Sequence, residues 1–122
     1  MLEERRGGRG LAWAEEDGPV TPGMVERMET PYAQVDDDID YGYGVELRDT
    51  LGHREVSHRG GTAGFVSWLV RFPDDDAMIA LLSNAGSTDV DGLRATLVEA
   101  LLSGDSTGSV GIGGVYSRGV TR

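Results

Sequence analysis

Gly64-Phe65-Val66-Ser67-Trp68-Leu69-Val70-Arg71-Phe72, then Pro73-Asp74-Asp75-Asp76, then Ala77-Met78-Ile79-Ala80-Leu81-Leu82-Ser83, reads as two strands joined by a tight acidic turn. Both runs are apolar on both faces, so their sheet is expected to be covered on both sides. Working upstream, Arg54–His58 reads as one half of a hairpin whose other half is Tyr41–Arg48, with Asp49-Thr50-Leu51-Gly52 as the turn. Tyr41–Arg48 alternates, with Tyr43, Val45 and Leu47 on one face. The run Asp36-Asp37-Asp38-Ile39-Asp40 before it reads as a solvated loop.

Two helices flank these strands. At 22–29, Thr21 is placed to cap, Pro22 suits the first helical position, and Met24, Val25 and Met28 form an apolar face. Pro31 ends it. The later helix is capped by Ser87 or Thr88, carries Asp89 and Asp91 at its positive end, and closes at Gly104. Its expected stripe is Val90, Leu93, Leu97, Ala100 and Leu101. The fold class is therefore α+β, of α/β sandwich type: an antiparallel meander of about four strands with a C-terminal helix. Residues 1–10 read as a disordered or foreign start, 11–104 as the folded domain, and 105–122 as a Gly/Ser-rich tail. One helix covers one face of the meander, and the helix at 22–29 is too small to cover the other. The chain is expected to be part of a larger unit.

Composition narrows the chemistry. The 122 residues suffice for one domain. All 11 basic residues are arginine, so P-loop lysines, Schiff bases and serine–lysine pairs are excluded. The absence of cysteine removes disulfides, thiolate zinc sites and thiol nucleophiles. A net charge of −10 repels polyanions and argues against a nucleic-acid partner. Acidic, lysine-free and Gly-rich composition suits a protein from a high-salt or GC-rich organism. No apolar run reaches the length of a membrane span, and Met1-Leu2-Glu3-Glu4-Arg5-Arg6 is unlike a signal peptide.

Tyr41-Gly42-Tyr43-Gly44, then Ser57-His58-Arg59-Gly60-Gly61-Thr62-Ala63-Gly64-Phe65, then Leu81-Leu82-Ser83-Asn84, resemble in order and spacing the C-terminal part of the serine β-lactamase and penicillin-binding-protein superfamily. The nearest branch is that of class C β-lactamases, DD-peptidases and esterase-like proteins. Thr21-Pro22 and Met28-Glu29-Thr30-Pro31 resemble the segment before that sheet, so the likeness runs over about 11–103. It implies a partial β-lactamase/transpeptidase-like domain at 11–104. His58-Arg59-Gly60 then matches the Lys-Thr-Gly or His-x-Gly motif on the strand lining the cleft. By that resemblance His58 positions substrate, Gly60 lets the substrate backbone lie close, and Gly61 supplies one oxyanion-hole N–H. Arg59 takes the variable middle position.

The departures bear on activity. The family's nucleophile lies in Ser-x-x-Lys, and a later Tyr-x-Asn completes its proton relay. This sequence has no lysine, and its single asparagine, Asn84, follows no such tyrosine. The expectation is a fragment of a serine hydrolase that cleaves amides or esters through an acyl-serine, inactive alone, partnered by a missing N-terminal half or by itself. The alternative is a non-catalytic assembly module pairing through its uncovered sheet face. No cofactor and no metal are expected: His53 and His58 point to opposite faces of a strand, and the acidic runs lack calcium-loop spacing. Ser57 and His58 point apart and form no dyad. His53 reads as exposed, and Trp13 and Trp68 as packed in a core or at a seam. Gly111-Ile112-Gly113-Gly114 precedes no helix and is no nucleotide loop. Localisation defaults to the cytoplasm, although proteins of the resembled family are often exported.

Overall fold

Residue 21 starts the first helix as the spacing predicts. Thr21 Oγ1 accepts from the Met24 N–H at 3.3 Å, and Pro22 opens α1, Pro22–Met28. Glu29 caps its end, two residues before Pro31. Of its apolar side chains, Val25 is buried while Met24 stays exposed. The computed structural model describes residues 14–104. The expectations for 1–10, for Trp13 and for the tail at 105–122 lie outside the described residues.

Six strands follow: β1 Ala33–Asp36, β2 Ile39–Tyr41, β3 Glu46–Thr50, β4 His53–Thr62, β5 Phe65–Phe72 and β6 Ala77–Ser83. They are hydrogen-bonded in the order β1-β2-β3-β4-β5-β6, a meander whose short turns make it antiparallel. The α+β class holds, and among the described residues there are six strands where about four were expected. The two additional strands come from the acidic run. Asp36 ends β1 and Ile39-Asp40 begin β2, with Gln34 opposite Asp40 and Ala33 opposite Tyr41. Backbone pairing builds this hairpin, and all four side chains of β1 are exposed.

Tyr41–Arg48 is not one strand. The Tyr43 N–H donates to the Met28 carbonyl at 2.9 Å, and the Gly42 N–H to Val45 O at 2.8 Å. This bends the chain between β2 and β3, and Gly44 adopts φ +71°. A Cβ on Gly42 would collide with the Met28 carbonyl oxygen, so glycine is required for that docking. Tyr43 instead stacks on Tyr32 with ring centres 4.6 Å apart, and the hydrogen bond between the two phenols raises the Tyr43 pKa. At the next turn, Leu51 and Gly52 take φ +54° and +80°, the signs a type I′ hairpin needs.

The described chain divides into two compact units. One holds the residues through Val56 plus Phe72–Asp76; the other holds Ser57–Arg71 and the residues from Ala77. In the first, Val25, Val56 and Phe72 are buried, together with the carboxylate of Glu55. In the second, α2, Val90–Leu102, packs on β6. Its cap is Asp89, whose Oδ1 accepts from the Gly92 N–H at 3.0 Å, rather than Ser87 or Thr88. Thr88 hydrogen-bonds Ser83 at 2.6 Å instead. The buried stripe of α2 runs through Val90 and Val98, and Leu93 is 46% exposed. Under the helix lie Trp68, Val70, Ile79 and Leu81, all buried. Phe65, Leu69, Met78 and Leu82 alternate with them and are exposed, so among the described residues only one face of this unit is covered.

Candidate functional site

Ser57, His58, Arg59, Gly60 and Gly61 lie consecutively in β4, and pleating sends them alternately to opposite faces. Ser57 is 2% exposed, whereas His58 is exposed. The two side chains therefore diverge, and no serine–histidine dyad forms. The Ser57 hydroxyl is buried with no hydrogen-bond partner among the described residues.

Arg59 shares the Ser57 face, beneath α2. Its guanidinium lies 3.6 Å from Asp91 of the helix and 5.9 Å from the centre of the Trp68 ring. Arg94 of α2 approaches the same ring at 5.2 Å. Trp68 thus sits against two cations, which ties the helix to the sheet. Arg94 escaped sequence reasoning, although Val90, Arg94 and Val98 recur at the four-residue spacing of one helix face.

His58 and Gly60 share the opposite face. A Cβ on Gly60 would meet Ser67 Oγ of β5, so this face continues from His58 across Ser67 to the exposed Phe65 and Leu69. A Cβ on Gly61 meets nothing within 4 Å. Packing gives no reason for glycine at 61, so Gly61→Ala is expected to change the unfolding free energy by less than about 0.5 kcal/mol, as read by thermal unfolding. β4 thus separates the residues aligned by sequence: His58 and Gly60 on the open face, Arg59 under the helix.

Gly60 and Gly61 also border a groove of about 1140 Å³ whose walls include Phe65, Val66, Leu82, Leu93 and Leu97. Among the described residues no titratable side chain lines it; its polar groups are hydroxyls such as Ser67 and Thr62 and the Asn84 amide. The groove can take apolar groups. In the same unit, burial lowers the pKa of Arg71. In the other unit, His53 is half-buried and not free at its turn: Nδ1 lies 2.8 Å from Asp75 Oδ2. Among the described residues, no cluster of three or more His, Asp or Glu side chains is placed to hold a metal ion, and no helix is long and apolar enough to cross a membrane.

This meander, with one helix on it and a His-x-Gly strand inside, has the fold of part of a penicillin-binding protein. One solved structure it resembles is the penicillin binding protein from Bacillus halodurans, at a TM-score of 0.57 and 24% identity, covering 67% of this chain and 25% of that one. The chain spans about a quarter of the length of that protein. No family model and no curated protein sequence matches it.

Proposed function

We propose that the chain is one wall of the cleft of a β-lactamase-related serine hydrolase and carries no nucleophile of its own. The observation behind this reading is the placement of His58 and Gly60 together on the uncovered face of β4, in a sheet with the fold of a penicillin-binding protein. In the complete enzyme His58 faces substrate, and the Gly61 N–H donates to the oxyanion that develops during acyl transfer from an amide or ester. The nucleophile and its activating base come from elsewhere, because this chain has no lysine and its buried Ser57 hydroxyl has no hydrogen-bonded base among the described residues.

The test is turnover by the purified chain. No hydrolysis of a chromogenic β-lactam or a short-chain ester is expected. Turnover that disappears in His58→Ala would overturn the proposal, since it would place a working site within these residues. The second reading, a non-catalytic assembly module, draws on Phe65, Leu69, Met78 and Leu82, whose exposure leaves an apolar surface for another chain.

A further inference from the structure

From the edge position and side-chain pattern of β6 we infer that a second copy of this chain adds to the sheet there, antiparallel about Ala80. β6 ends the hydrogen-bonded order, so one side of its backbone has no strand partner in the described sheet. Natural edges are guarded by charge, proline, bulges or shortness. β1, at the other end of the order, is so guarded: it has four residues, a register irregularity and Asp36. β6 has seven residues, Ala77-Met78-Ile79-Ala80-Leu81-Leu82-Ser83, with no charge, no proline and no glycine.

The occupant follows from symmetry. About Ala80 the strand is a chemical palindrome: small Ala77 answers Ser83, exposed Met78 answers Leu82, and buried Ile79 answers Leu81. A two-fold axis through Ala80, normal to the sheet, brings each residue opposite its counterpart on the same face. Met78, 48% exposed, then meets the partner's Leu82, 66% exposed. A slip of one residue would set the exposed side chains against the buried row, so the register is specified. Leu93, Leu97 and Ala100 of α2 line the same groove as Leu81 and Leu82, which carries the apolar surface from strand to helix. In a chain of net charge −10, this neutral strand is where two copies approach without opposing carboxylates. Seven paired residues span only ~24 Å, so the dimer is weak and needs concentration to form. Salt tightens it by screening the mutual repulsion of the two copies.

Sedimentation equilibrium of the full chain from about 1 μM to about 1 mM, at low and high salt, tests this. The weight-average mass is expected to rise from the monomer's 13.0 kDa toward twice that value, more steeply at high salt. Met78→Glu and Leu82→Arg, both at exposed positions, are each expected to weaken association about tenfold or more, with unchanged circular dichroism. Mixing the two variants restores a dimer, because the new carboxylate and guanidinium face each other in this register. A mass of 13.0 kDa at every concentration overturns the proposal, leaving the edge to residues 105–122 or to a strand of another protein. Association that both variants leave intact also overturns it, by placing the contact on another surface.

Discussion

Phe72→Ala is expected to lower the unfolding free energy by about 3–5 kcal/mol, the range for deleting a fully buried aromatic side chain. Phe72 closes β5 with none of its surface exposed, and the His53 ring meets it edge-on, 6.4 Å between centres at 84°. Pro73 follows at once and fixes the turn, so backbone movement cannot refill the space. Domains of this size are stable by only about 5–15 kcal/mol, so the variant loses a large fraction of the total. Urea unfolding followed by circular dichroism reads the loss. Met24→Ala is the control: 53% exposed, it is expected to cost less than about 0.5 kcal/mol. Equal losses in the two variants would show that Phe72 is not the core residue its burial makes it.

Arg48→Met is expected to be comparably severe. The Glu55 carboxylate is fully buried, with Arg48 Nε 3.7 Å from Oε1 and the Thr50 hydroxyl donating to Oε2 at 2.5 Å. Arg48 also pairs with Glu46, so one guanidinium serves two carboxylates. Removing it takes a cation away from a fully buried carboxylate, at a cost of up to about 3–5 kcal/mol. The double variant Arg48→Met/Glu55→Leu removes both charges and is expected to recover most of the loss. Thermal unfolding of the single and double variants measures this coupling. Additive losses would mean that the two side chains do not depend on each other.

What the sequence made legible follows from which forces carry each element. β5 and β6 were readable because apolar runs bounded by Pro, Asp and Gly leave few alternatives, and α1 because Thr21 and Pro22 mark its start. β1 and β2 were hidden because exposed polar residues, Gln34 and Asp40 among them, pair through backbone alone. Tyr41-Gly42-Tyr43-Gly44 alternated like a strand, but Met28 accepts the Tyr43 N–H and bends it, a tertiary contact that no local pattern records. The stripe of α2 was misread in part: Leu93 is exposed, while the charged Arg94 turns inward onto Trp68. At the candidate site, the strand and its order were readable in the motif. The division between His58, on the open face, and Arg59, held by Asp91 and Trp68, needed the position of the helix.

Whether this chain holds an activated serine decides between a cleft wall and a complete hydrolase. Intact-mass spectrometry after incubation with a penicillin, and separately with an alkyl fluorophosphonate, measures that without requiring turnover. The mass is predicted to stay that of the unmodified chain with both reagents. A stoichiometric acyl or phosphonyl adduct on one of its serines, lost on unfolding beforehand, would contradict it.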